Sequence, residues 1–248
     1  MALSRRERRH EQTRQEIKQV AYQQMAKQGT AASLSLRGIA AEMGMSAPSL
    51  YNYYANRDDL VTDLLVDSYT HQAETLEHAS ASCQTLDTIS CLLDTVLAYR
   101  QWAVEHPTEF ALIAGSPIPG YVAPVEQTLP QARRSLKVML DLFQRAWDEQ
   151  LLPLQPGSPE ITADTFNDDF FAWCREHGYE ISVVFLFLEC YAFLQGVIAL
   201  EVFGHLPFFL KDPIIFYRRA VLTRIGYLNT GMEFNQPLEE GTSSTLLS

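Results

Sequence analysis

SLRGIAAEMGMSAPSLYNYYANRDDL, residues 35–60, decides the architecture of this chain. Ser35 is placed to cap a short helix that buries Ile39, Ala40 and Met43 on one face. Gly44 permits the left-handed backbone of a tight turn. Ser46 then caps a second short helix, with Pro48 in its first turn, where a missing N–H costs little. Asn56 caps a third, and Asp58 and Asp59 face its positive end. Upstream, Thr13 to Gln28 reads as a helix with Ile17, Val20, Ala21, Gln24 and Met25 on one side, closed by Gly29. The pattern is a helix-turn-helix: helix, glycine turn, helix, supported by the flanking helices.

Charge says what such a head could meet. Residues 1–60 hold nine Lys/Arg against six Asp/Glu, and the remaining residues hold ten against twenty-four. The net charge is -11, so the body repels phosphates and the head is the credible nucleic-acid surface. The helix after Gly44 carries small and aromatic polar residues in place of a Lys/Glu solvent face. A helix lying in a major groove about 12 Å wide needs small residues where its backbone approaches. Its hydroxyls can donate to phosphates and its rings can pack on sugars or thymine methyls. The expected DNA contacts are Arg37, Ser46, Ala47, Pro48, Ser49, Tyr51, Asn52, Tyr53 and Arg57, with the two arginines as phosphate anchors.

The rest of the chain is punctuated by Gly and Pro between stretches of helical periodicity, without sustained strand alternation. The predicted class is all-α: a three-helix helix-turn-helix head and a larger helical body. The predicted boundaries are a flexible basic arm over 1–12, the head over 13–60, the body over 61–232 and a disordered tail over 233–248. Helices are expected to about Ala79, then near Thr85–His106, Val125–Gln150, 181–203 and Asp212–Leu228. GSPIPGYVAP, 115–124, reads as a loop, and the acidic, Pro-rich 153–170 as an exposed connection with a frayed helix start. Cys83, Cys91, Cys174 and Cys190 form no CxxC or zinc-type cluster, so four reduced, mostly buried thiols are expected. No apolar segment follows the basic N-terminus as a secretory signal would require, and a cytoplasmic location is expected.

ISVVFLFLECYAFLQGVIALEVF, 181–203, is apolar nearly all round and long enough to span a bilayer. Glu189, Gln195 and Glu201 interrupt it and no basic flank anchors it, so burial inside a soluble dimer is expected, with no membrane partner. Paired with 212–228 it predicts a four-helix interface across a two-fold axis. Phe187, Tyr191, Leu194, Ile198, Val202, Tyr217, Val221 and Ile225 are the expected interface. Trp102, Phe110, Tyr121, Phe143, Trp147, Phe171, Trp173 and Tyr191 are candidates to line an apolar cavity, though core filling is the stronger expectation for any single one of them. His71, Glu74 and His78 share a helix face, but that spacing is ordinary on a solvated helix and no further ligand is evident, so no metal is expected. No nucleophile elbow, zincin motif or phosphate loop is present, so neither catalysis nor a cofactor is expected.

The head resembles the DNA-binding region of the TetR family of one-component transcriptional regulators. Ile39-Ala40, Gly44, Ser46, Leu50-Tyr51, Tyr54 and Asp59-Leu60 stand in the family's register over about residues 13–65. Arg57 replaces the usual lysine, a planar fork in place of a point charge. The segment 195–205, with PIPGY near 117–121, is similar to a C-terminal subgroup whose pattern has Trp and His-Gly before Leu-Glu. Here Phe193 and Gln195-Gly196 stand in those places. The resemblance implies a homodimeric regulator that binds double-stranded DNA at a palindrome, most often as a repressor released by a small-molecule effector. A helical protein-interaction or carrier protein without DNA binding is the alternative.

Overall fold

The computed structural model describes residues 4–83, 86–152 and 162–225. Among these the chain forms ten α-helices and three short 3-10 turns, with no strand. The expected tail over 233–248 and the end of the expected body over 226–232 lie outside the described residues.

The head comprises α1 (Arg5–Gln28), α2 (Leu36–Glu42), α3 (Ala47–Leu50) and the start of α4 (Arg57–Ser82). Helix α1 begins eight residues before the expected Thr13. The Ser4 hydroxyl accepts from the Glu7 N–H at 3.2 Å, and the Glu7 carboxylate accepts from the Ser4 N–H at 2.7 Å. This reciprocal capping box satisfies two orphan donors and carries the helix through the arginines of the expected arm. Ile17, Ala21, Met25, Ile39, Leu50, Leu60 and Leu64 close one buried core. Each such side chain contributes roughly 1.5–3 kcal/mol of transfer free energy.

Helix α4 continues from that core into a second, larger one. There Leu76 joins α5 (Thr88–Glu105), α6 (Pro107–Ala114), α7 (Val125–Asp148), α8 (Asp168–Glu176), α9 (Ile181–Val202) and α10 (Pro213–Arg224). Pro107 follows the end of α5 and starts α6 at the position that tolerates a missing N–H, so Pro107–Ala114, outside the expected helices, is helical. Asn167 caps α8 by accepting from the Asp169 N–H at 3.1 Å, so the acidic connection yields a helix before it ends.

Two polar features of the body have specific partners. Glu201, which interrupts the apolar run, pairs with Arg100 of α5 through two hydrogen bonds, one of 2.9 Å to Nε. Only 11% and 12% of these side chains are exposed, so the charge is compensated within the fold. Cys83 and Cys91 are joined by a disulfide, against the expectation of four thiols. The turn from α4 to α5 brings their Cα atoms to 5.2 Å with both side chains buried, a proximity that an eight-residue separation does not reveal. Cys174 and Cys190 are free and buried.

Candidate nucleic-acid interface

The turn between α2 and α3 is closed by backbone alone. Gly44 adopts φ +66°, and the Met45 N–H donates to the Ala40 carbonyl at 2.8 Å. The chain then re-enters helix at Ser46, whose hydroxyl accepts from the Ser49 N–H at 3.3 Å and pairs with the Ser49 hydroxyl at 2.7 Å. Leu50 turns inward and is fully buried, which leaves Ser46, Pro48, Tyr51 and Asn52 outward. Tyr51 remains 47% exposed, unusual for a large ring without a partner. After four residues α3 passes into a turn over 51–53, so the outward element is shorter than a full recognition helix.

Around this element the positive side chains differ in freedom. Arg37 on α2 is exposed, as are Arg5, Arg6, Arg8 and Arg9 on α1. Arg57 is instead engaged: its guanidinium pairs with Asp58 at 3.0 Å and donates to the Ala32 carbonyl at 3.4 Å. His10 stacks on Tyr53 with centroids 4.5 Å apart, which joins the arginine-rich start of α1 to the end of the outward element. The sequence gives no sign of that contact, because 43 positions separate the two rings.

Beneath the surface, Asp63 of α4 accepts from the Tyr54 hydroxyl at 2.5 Å and from Arg14 Nε at 3.0 Å. Lys18 reaches Asp67 at 2.5 Å. Burial, reinforced by the Asp63 carboxylate, holds the Tyr54 phenol protonated far above its usual range. Head and body meet through the Tyr121 and Thr62 hydroxyls at 3.0 Å, while within the head Tyr22 donates to the Leu64 carbonyl at 2.9 Å. Leu112 of α6 and Ile118 also pack on the head core.

Comparison with known proteins gives the arrangement its context. Residues 17–64 match "Bacterial regulatory proteins, tetR family", and 92–223 match "Tetracyclin repressor-like, C-terminal domain". The HTH-type transcriptional regulators Rv1816 of Mycobacterium tuberculosis H37Rv and Mb1846 of Mycobacterium bovis are each 33% identical over 200 residues, covering 78% of this chain and 82% of theirs. The crystal structure of regulatory protein SCO4313 superposes with a TM-score of 0.69 at 31% identity, covering 90% of this chain and 100% of that one. The chain belongs to the TetR family.

In this TetR-family chain a cavity of about 320 Å³ opens among α4, α5, α7 and α9. Its wall is apolar, with Phe143, Phe187 and Met139 prominent, and among the described residues it contains no Asp, Glu, Lys, Arg or His. The Ser135 hydroxyl is buried there without a hydrogen-bond partner. Tyr99 donates to Gln195 at 2.9 Å, and Gln195 donates to Tyr191 at 2.7 Å. Burial pushes the Cys190 thiol in the same wall up to about 12.

The sequence placed this cavity only in part. Of its eight candidate aromatics, Phe143 and Tyr191 line the wall. Trp102, Phe110 and Trp173 are buried as core, and Trp147 packs against that core. Tyr121 packs against the head, and Phe171 stacks on Phe166. Aromatic content marks where a core is large, whereas a void depends on how neighbours fail to fill space. The expected interface is also corrected. Phe187, Leu194, Ile198, Tyr217, Val221 and Ile225 are buried inside the protomer, Val202 packs against the same core, and only Tyr191 of the set is exposed. The outward apolar residues are Leu200, Phe203, Phe208, Phe209, Ile214, Ile215 and Phe216.

One further cluster is absent from the sequence-level candidates. His71 faces Glu109 and His106 of the α5–α6 junction, instead of joining His78 on its own helix. Partners 35 and 38 positions away carry no periodic signal.

Proposed function

We propose that this protein is a homodimeric transcriptional repressor that binds a palindromic operator and is released by a small, apolar effector. The observation that carries the DNA reading is the outward Ser46–Tyr53 element, held by Leu50 and Tyr54 from below and flanked by exposed arginines. Arg37, Ser46, Ala47, Pro48, Ser49, Tyr51, Asn52, Tyr53 and Arg57 are the proposed contacts. Arg57 exchanges its Asp58 partner for a phosphate when DNA arrives.

Two heads must sit about 34–36 Å apart to enter successive major grooves on one side of a duplex. The exposed apolar side chains of α9, α10 and the turn between them are the proposed dimer face. Just 39% of the most apolar stretch of α9 is buried within one protomer, and a second copy would cover the remainder without any membrane. The uncharged cavity suits a neutral effector with a large apolar body and one acceptor for Ser135. Because α4 forms one wall of that cavity and the floor of the head, a ligand preferring another α4 position shifts head spacing by its differential affinity. The similarity of 195–205 to the subgroup with Trp and His-Gly before Leu-Glu supports this body arrangement, and the family supports a cytoplasmic setting.

Fluorescence anisotropy on duplexes selected from a random library tests the reading. Tyr51→Ala should weaken operator binding by about 1–3 kcal/mol, the range for one lost base contact, with an unchanged circular dichroism spectrum. Undiminished affinity, or no salt-dependent affinity in the parent protein, would leave a carrier or interaction protein as the better account.

A further inference from the structure

We infer that His71, His106 and Glu109 bind a zinc-class divalent transition-metal ion at the joint between α4 and α6. The Glu109 carboxylate lies 3.0 Å from His71 Nδ1 and 3.4 Å from His106 Nδ1, and one donor atom from each residue falls within 4.8 Å of the other two. A tetrahedral ion with bonds of about 2.0–2.1 Å holds its ligand atoms roughly 3.3–3.4 Å apart. His71 faces Oε2 of the carboxylate and His106 faces Oε1, so an ion seated here is held by both oxygens or turns one of them toward both rings, whose centroids already lie 4.5 Å apart. Two imidazoles and a carboxylate are a donor set suited to zinc, and also accept cobalt or nickel.

The surroundings fit an ion with one open position. His71 and His106 side chains are 43% and 36% exposed, so water reaches the fourth site, while Glu109 is only 18% exposed. The buried Trp102 indole walls the inner side, its centroid 6.2 Å from the His71 ring and 6.4 Å from the His106 ring. An apolar wall of this kind limits competing hydration and orients the rings. The ligands come from different elements: His71 from the middle of α4, His106 from the α5–α6 junction and Glu109 from the first turn of α6. Since Leu112 of α6 packs on the head core, an ion here fixes the joint through which body and head touch. The site is separate from the apolar cavity, which contains none of the three residues.

The test uses the full chain, stripped with a chelator and dialysed, then titrated with Zn²⁺ by calorimetry and with Co²⁺ by absorption. The parent should take up one ion per chain and show a higher unfolding temperature with Zn²⁺. Glu109→Gln, and His71→Ala with His106→Ala, should weaken uptake at least about tenfold, whereas His78→Ala should not. No stoichiometric uptake by the parent, or uptake that survives the double substitution, overturns the site. If the double variant does not fold, imidazole NMR of the parent decides. Zn²⁺ must shift two of the six histidines, assigned as 71 and 106 by single substitutions, and any other pair overturns the assignment. None of these readouts involves DNA, so failure here leaves the repressor reading intact, and the reverse also holds.

Discussion

Arg57, the proposed phosphate anchor, is held in a closed pair with Asp58, 3.0 Å apart, at the first turn of α4. An exposed pair of this kind contributes about 0.2–1 kcal/mol, far less than a desolvated contact to phosphate, so DNA can displace the carboxylate. Arg57→Ala should weaken binding to all duplexes alike and make the slope of log affinity against log salt shallower by about one. A salt titration followed by anisotropy measures both, and an unchanged slope would mean the pair never opens. Residues of this type were legible in the sequence wherever local chemistry alone decides: Ser35, Ser46 and Asn56 cap helices through bonds reaching only three positions. Contacts such as His10 on Tyr53 were not, because tertiary packing alone brings them together.

At the scale of elements, α4 does two jobs along a length of about 39 Å at 1.5 Å per residue. Its first half is buried with the head, through Leu60, Val61 and Leu64, and its second with the body, through Leu76. The longer helices and their order were readable from periodicity, whereas the short α6 was not. Helix α9 was readable only as buried, since a helix apolar on every side does not say which side meets which neighbour. That is why six of the eight interface residues expected from spacing are buried within a single chain. The cavity escaped for a related reason: Phe143 and Phe187 meet edge to face at 5.7 Å and leave space beside them, and no residue type encodes space. Phe143→Ala should enlarge that cavity and cost about 3–5 kcal/mol. Urea denaturation should show a lower midpoint with an unchanged slope; a cost below about 1 kcal/mol would mean the wall collapses to fill the void.

For the whole molecule the decisive quantity is how many copies assemble. The protomer leaves Phe208 87% and Phe209 72% exposed, beside Ile214, Ile215 and Phe216. This cluster of exposed apolar side chains is the proposed interface between copies. Ile215→Glu with Phe216→Glu should yield a folded monomer by sedimentation equilibrium, with operator affinity lowered by at least about a hundredfold through loss of the second head. A dimer that persists would move the interface elsewhere on the body. The three tryptophans of this chain, Trp102, Trp147 and Trp173, all belong to the body, and the head has none. Tryptophan emission, excited at wavelengths too long for tyrosine to absorb, therefore watches one half of the protein only. A ligand arriving in the body can be followed without a dye, while melting of the head stays dark unless α4 or α6 carries the disturbance across. The protein is thus built with its own one-sided optical gauge of communication between its two halves.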